Sequence, residues 1–450
     1  VKRIRIGNGC GFWGDNLDAP IRLAQAGRLH YLTLEYLAEL TMSILAVQKQ
    51  KDPAAGFASD FLDVLERLVP ILAQSDLKVI TNAGGMNPRG CAAKAKESLA
   101  KAGLTRRRVA VVSGDDLLPR LDELFAAGHV LNHLDTGEPL TTIRDKVVSA
   151  NAYLGAEPIV KALKLGADIV ITGRVADASL TVGPAAFEFG WGFGQADLDR
   201  LAAATVAGHL IECGAQVTGG LWINADESTR LGEVGYPIAD VAEDGTFILT
   251  KPAGTGGAVN VETVSEQLLY EVADPAHYLT PDVVADFTTV RLQESAPDEV
   301  SVSGGTARGV TDTYKVSVAC RDGFTSAGTL VIAGPHAAQK ARRSGAIILE
   351  KLRQAGFTFE ASHVEALGAG DSLPGVLPAA DPPEVVLRVA VRDPRRAAVE
   401  RFTKEFAPLV TAGFPGTTGY TTGRPPVREV FAYWPALIAK SAVSPRVEVV

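Results

Sequence analysis

Apolar positions along the chain fall into short blocks that switch between two periods. Through the first 180 residues, apolar runs at 2–6, 30–34, 77–81, 108–112 and 168–172 are bounded by turn signals. Short continuous runs of this kind predict strands buried in a parallel sheet. Between them the spacing is helical. Phe61, Leu65, Leu68 and Leu72 share one face of a helix predicted over 57–72. Segments 91–102 and 151–165 stop at Gly103 and Gly166, residues that end helices readily. Further helices are predicted over 20–26 and over 197–213, the latter ending at Gly214. Strand–helix alternation predicts an α/β fold: an N-terminal doubly wound, mainly parallel sheet with right-handed crossovers.

After residue 225 the style changes. Strands are expected at 246–249, 259–261, 288–292, 314–318, 330–332 and 385–391, with one long helix over 336–354. The expected organisation is an α/β layered domain over 1–225 carrying the glycine loops, a connecting region over 226–285, and a smaller α+β domain over 286–450. Segment 368–383, rich in Gly, Pro, Ala and Asp, reads as a linker. Segment 411–429 is irregular and reads as a mobile stretch or a cover for a site. No internal repeat is visible.

Composition narrows the class. Of 450 residues, 46% are hydrophobic and 21% charged, as in a folded protein with a sizeable core. The net charge of −8 comes without a lysine or arginine block, so nucleic acid is not expected as a partner. The short run Arg106-Arg107-Arg108 reads as a solvated loop or helix end. No apolar run is long enough to span a bilayer, so no membrane is expected. The N-terminus reads as a strand rather than a signal peptide, and Cys10, Cys91, Cys213 and Cys320 lack metal spacing. A cytoplasmic location is the simplest expectation.

In open α/β sheets ligands bind beyond the carboxyl ends of the strands. Strand one ends in Asn8, Cys10, Trp13 and Asp15, within a run of four glycines. Strand two ends in Glu35, with Tyr36 and Glu39 just after. Strand three gives Asn82-Ala83-Gly84-Gly85-Met86-Asn87-Pro88, the fourth Asp115-Asp116, and the strand at 168–172 gives Arg174, Asp177 and Ser179.

Each feature has a plain structural reading beside a chemical one. Asp15 is a helix cap or an Asx turn, or else a carboxylate that moves a proton beside Trp13. Glu35 is a surface acid at a helix start, or the second member of an acid–base pair with Asp15. Asn82, Gly84 and Gly85 form a tight turn or an oxyanion cradle. Arg174 holds a substrate carboxylate or locks its own loop through Asp177, which also reads as a helix cap. Lys251 heads a glycine loop that could reach phosphate but lacks P-loop order. Glu212-Cys213-Gly214 reads foremost as a glycine helix stop. His30, His209 and His277 read as structural or surface residues. Gly7-x-Gly9-x-Gly11-x-x-Gly14 with Glu35 offers a nicotinamide or flavin reading, against which Asp15 would repel pyrophosphate. No G-x-S-x-G elbow is present.

Several of these stretches together resemble the acyclic terpene utilisation protein A (AtuA-like) family. They are 7–15, 36–42, 82–88, 171–174 with Asp177, 212–220 and 251–257, and the resemblance runs over nearly the whole chain. It implies a bacterial catabolic role and a small carboxylate or CoA thioester as substrate. Longer members carry an added C-terminal domain with an Arg-Ser-Gly-Asp-Lys-Gly-type motif. Its lack here implies a separate small partner subunit, and a hetero-oligomer is expected.

The expectation is therefore an enzyme of lyase or hydratase type. Asp15, Glu35 and Asp177 are the catalytic candidates. Asn8, Trp13, Asn82, Gly84, Gly85, Asn87, Arg174 and Lys251 are the binding candidates. Metal and cofactor are left open. On this reading Asp15→Asn lowers kcat by about 10² or more. The alternatives are a nicotinamide-dependent oxidoreductase and a non-catalytic ligand-binding subunit of a metabolic complex.

Overall fold

The computed structural model describes residues 2–420 and 423–450, and the chain divides into two compact units. One comprises 1–319 with 433–450, the other 320–432. The expected organisation divides at 225 and 285, whereas these units divide at 319/320 and 432/433. Strands after 225 return to the first sheet by antiparallel edge pairing, which a local apolar pattern does not encode.

The larger unit begins β1 (Arg3–Asn8), α1 (Ala19–Ala26), β2 (Tyr31–Leu34), α2 (Glu39–Lys51), α3 (Asp60–Leu72) and β3 (Lys78–Thr81). It continues with α4 (Pro88–Lys101), β4 (Val109–Ser113), α5 (Leu121–Ala126), β5 (Val147–Ala152), α6 (Glu157–Lys164) and β6 (Ile169–Thr172). Then follow α7 (Ser179–Phe189), α8 (Leu198–Glu212), β7 (Ile238–Ala242), β8 (Phe247–Thr250) and α9 (Val261–Leu269).

β1, β2, β3, β6 and β4 pair in parallel in that order. β7 and β8 extend the β1 edge antiparallel, followed by strands Glu299–Ser303 and Arg291–Ala296. The C-terminal strand Arg446–Val449 closes the β4 edge. The result is a mixed sheet with a parallel centre. Leu32, Leu34, Val79, Val111 and Ile171 point into a core shared with Leu23 of α1, Phe61 and Leu65 of α3, and Leu99 of α4. The alternate residues Tyr31, Ile80, Ala110, Val112 and Val170 are buried as well, so both faces are covered.

Three sequence expectations change. Residues 259–261 are not a strand: Asn260 caps α9 in a capping box with Thr263. The helix expected over 151–165 begins only at Glu157, after β5, with Pro158 in its first turn. The segments expected as separate strands at 314–318 and 330–332 belong to one strand, Thr313–Ala333, which crosses from the first unit to the second. In the smaller unit its later part pairs with Glu384–Asp393, itself paired to Ala361–Leu367, and the helix Ala337–Gln354 contributes to the core against them. Within 411–429, a strand forms at Thr417–Tyr420 and another starts at Arg428. Thr421 and Thr422 of that segment lie outside the described residues.

Candidate functional site

At the carboxyl ends of β1, β2 and β6 lies a cavity of about 690 Å³. Gly11 and Phe12 come from the loop after β1, Glu35, Leu37 and Glu39 from the β2 tip, and Arg174 and Asp177 from the β6 tip. The wall opposite is built by His209, Glu212 and Cys213 at the end of α8 and by the segment 270–280. Tyr153 and Lys315 complete it. Gly11 is required where the β1 loop meets α8, since a Cβ there would sit 2.7 Å from the Cys213 carbonyl carbon.

Arg174 is the central cation, and it is 1% exposed. Its Nη1 donates to the Leu37 carbonyl at 3.1 Å and ion-pairs with Asp177 at 2.9 Å, while Glu35 Oε1 stands 3.8 Å away. The guanidinium lies 4.1 Å from the centre of the Tyr153 ring. Burial opposes its charge, but Asp177, Tyr153 and Glu35 hold it firmly protonated.

Glu35 is 4% exposed. Its Oε1 accepts from the Leu37 amide at 2.9 Å and from the Asn82 side-chain amide. Its Oε2 is buried and has no hydrogen-bond partner among the described residues. Burial, and then the charge of Asp177, push the Glu35 carboxyl well above the usual range, against the pull of Arg174. Burial also raises Asp177. Its side chain keeps 36% of its surface open, so Asp177 is the accessible member of the pair.

Glu39 behaves differently. Tyr153 Oη donates to it at 2.7 Å and Lys315 pairs with it at 3.2 Å. Burial works against its ionisation, but these two partners bring its carboxyl down to about 2. Behind Arg174, the buried Asp115 accepts from the Arg174 amide at 2.9 Å and from Asn151 at 2.8 Å, and burial lifts it to about 6. Asp115 thereby sets the backbone from which Arg174 projects.

The sequence candidates separate into two groups. Glu35, Arg174 and Asp177 come together at the cavity. Asn82 stands behind Glu35: its Nδ2 donates to that carboxylate and its Oδ1 accepts from the Tyr36 amide at 2.8 Å. The others are not among the residues lining the cavity. Asp15 accepts from the Gly11 and Asn16 amides at 2.8 and 2.7 Å and from Tyr236 Oη at 2.6 Å, and it does not line the cavity. Its Oδ2 thereby takes up the Gly11 amide of the glycine loop. Trp13 packs on the core. Asn8 donates to the Ile211 and Glu212 carbonyls and anchors the end of α8.

The turn after β3 spends its own amides. Gly85 donates to the Asn82 carbonyl, and Asn87 donates to the Gly84 carbonyl. A Cβ on Gly84 would fall 2.4 Å from the Thr172 carbonyl oxygen, so its role is close packing of β3 and β6. Asn87 caps α4. Lys251 is buried, pairing with Asp298 at 2.8 Å and donating to the Thr255 carbonyl.

His209, read from the sequence as a structural or surface residue, is buried and lies in the cavity wall. A signal for it existed. Helix α8 is buried nearly all round, and a histidine with a glutamate three residues on is out of place in so apolar a helix. Tyr153 and Lys315 carried no comparable signal. Among the described residues, no group of three or more His, Cys, Asp or Glu side chains is arranged to hold a metal ion.

Fold and site together define a class: an α/β protein whose strand tips enclose buried carboxyl groups around one buried arginine. Residues 4–449 match the model of the acyclic terpene utilisation family protein AtuA, and the chain belongs to that family. No match was found among curated proteins or among solved structures. No helix among the described residues is long and apolar enough to cross a membrane.

Proposed function

We propose that the chain is a catabolic enzyme that uses this cavity for proton-transfer chemistry of lyase or hydratase type. The observation that carries the reading is the Glu35–Arg174–Asp177 cluster. It sets a buried carboxyl with one unpartnered oxygen beside a second, more open carboxyl and a fixed cation. Adding or removing water across a carbon–carbon bond needs one group that takes a proton and one that gives it. Two carboxyls held apart in proton affinity supply both. Asp177, kept beside Arg174, is the better base. Glu35, pushed toward its neutral form, is the better acid.

We take the substrate class to be a small carboxylate or acyl-CoA thioester, a reading that the family's tie to terpene utilisation supports. The cavity itself is rich in carboxylates. Its polar floor therefore suits the reacting hydroxyl or alkene portion, with any CoA portion left outside. A cytoplasmic location fits such a substrate.

The test is incubation in deuterium oxide with free acids and CoA thioesters of branched, unsaturated and hydroxylated chains, read by mass spectrometry. Deuterium enters carbon positions of a turned-over compound, and Glu35→Gln or Asp177→Asn stops it. Binding of a panel member with neither exchange nor turnover would replace the enzyme by a ligand-binding subunit. Quenching of NADH fluorescence on titration would replace it by an oxidoreductase.

A further inference from the structure

His209 Nε2 lies 3.0 Å from the Gln267 carbonyl oxygen, and Nδ1 lies 3.2 Å from Glu212 Oε1. A carbonyl can only accept, so Nε2 carries a hydrogen. The contact at Nδ1 is then a hydrogen bond only if one proton lies between Nδ1 and Oε1. Imidazolium with carboxylate and imidazole with carboxylic acid both satisfy it. Imidazole with carboxylate sets a lone pair against an anion.

The surroundings hold the ring in this orientation. Gln267 Nε2 donates back to the His209 carbonyl at 3.3 Å. Tyr278 and Phe287 flank the imidazole, each with its ring centre 5.3 Å away. Glu212 lines the cavity, and its Oε2 has no hydrogen-bond partner among the described residues. Burial lifts the Glu212 carboxyl to about 7. Burial would lower His209, but the hydrogen bond and charge of Glu212 reverse that and raise it. The other ionisable groups facing the pair are Cys213 on its own helix end, Asp177 after β6, and Glu271 and Tyr278 across the cavity.

We propose that His209 and Glu212 form a dyad holding one shared proton, through which Glu212 exchanges a proton with the molecule bound in the cavity. This rests on the acid–base reading of the cavity and places a second proton-exchanging unit on the wall facing the strand tips. In the elimination direction Asp177 takes a proton from carbon and that C–H electron pair forms the double bond. The neighbouring C–O bond breaks with its pair going to oxygen. Where the leaving oxygen faces the α8 wall instead of Glu35, Glu212 delivers the shared proton to that oxygen, which leaves as water; Asp177 then gives its proton to solvent and the dyad regains one from solvent. Addition of water is the reverse. Glu212 is the catalytic residue of the unit, and His209 positions and tunes it.

The test begins with the full chain labelled with ¹⁵N in its histidine rings and followed by NMR across pH, with His209→Gln assigning the resonance. The expected result is a single titration step of the His209 ring at or above neutral pH, moved by about one unit or more in Glu212→Gln. A step at the ordinary value of ~6.5, unmoved by Glu212→Gln, overturns the dyad. With the compound found by deuterium exchange, Glu212→Gln is expected to lower kcat by about 10² and to remove one limb of the pH–rate profile. Glu212→Asp, which keeps an exchangeable proton, recovers part of the rate, an effect a purely structural role would not give. Full rate and an unchanged profile in Glu212→Gln, with Glu35→Gln inactive, would sink the dyad and leave the cavity reading standing. Silence of Glu35→Gln and Asp177→Asn as well would sink the cavity reading itself.

Discussion

Asp15 follows β1 and Glu35 follows β2, two acids at the tips of neighbouring parallel strands, and the fold uses them in opposite ways. Asp15 receives two backbone amides and a tyrosine hydroxyl, all from its own surroundings. Its charge is spent on holding the glycine loop closed. Glu35 receives one amide from the chain and one from Asn82, and keeps its other oxygen buried without a partner. A carboxylate saturated by fixed donors has little left to offer a ligand. A buried one with an unsatisfied oxygen is pushed toward its neutral form and bears a desolvation cost that a bound molecule can relieve.

The largest effect that could break this contrast is at Arg174. Arg174→Ala leaves the buried Glu35 and the neighbouring, more open Asp177 without their cation. We expect a loss of about 3–5 kcal/mol of stability, read by denaturant unfolding, together with loss of turnover. Native stability in that variant would mean that the cluster is not the charge-coupled unit described. Next come Glu35→Gln and Asp177→Asn, each expected to cost about 10²–10⁴ in rate with thermal unfolding close to the parent's.

The pH dependence of stability sharpens the same point. Asp115 has a folded-state value raised to about 6, above its ordinary 3.8. Between the two values the folded chain holds a proton that the unfolded chain has released. Its contribution is therefore lost as pH rises from about 4 to about 6. The His209–Glu212 dyad holds one proton, as an unfolded His209 does below its ordinary 6.5, so the pair acts only at the upper end, its contribution being lost as pH rises through the raised value of His209. Tm should fall across that range, Asp115→Asn should flatten its lower part and Glu212→Gln its upper part. Glu39 has the opposite sign: its carboxyl, lowered to about 2, stabilises above its ordinary 4.5 and ceases to do so as pH falls through about 2.

The smallest effect is expected at Asp15. Asp15→Asn removes charge-assisted hydrogen bonds and should cost about 1–3 kcal/mol of stability, with kcat changed less than tenfold. A loss of 10² in kcat at unchanged stability would restore Asp15 to the reacting groups and erase the contrast with Glu35.

Much of the floor was legible in the sequence. Apolar runs marked β1, β2, β3, β4 and β6, and the rule that ligands sit beyond strand ends pointed to Glu35, Arg174 and Asp177. What a strand end does not reveal is who satisfies whom. Asp15 and Glu35 look equivalent in the chain because the deciding donors, Tyr236 and Asn82, are distant in sequence. Lys251 looked like a phosphate hook because Asp298, its partner, lies far along the chain. The opposite wall was less legible for another reason. The polar ends of α8 and of segment 270–280 acquire meaning only when tertiary packing turns them toward the strand tips. The strands after 225 were individually visible, but edge pairing assigned β7 and β8 to the first sheet.

The most direct test of the central claim is infrared difference spectroscopy at neutral pH, comparing the full chain with Glu35→Gln. The account predicts a C=O stretch from a protonated carboxyl in the unaltered protein, with intensity lost in the variant. Carboxylate bands alone, equal in intensity but for one ionised glutamate, would contradict it, because Glu35 would then be an ordinary paired anion.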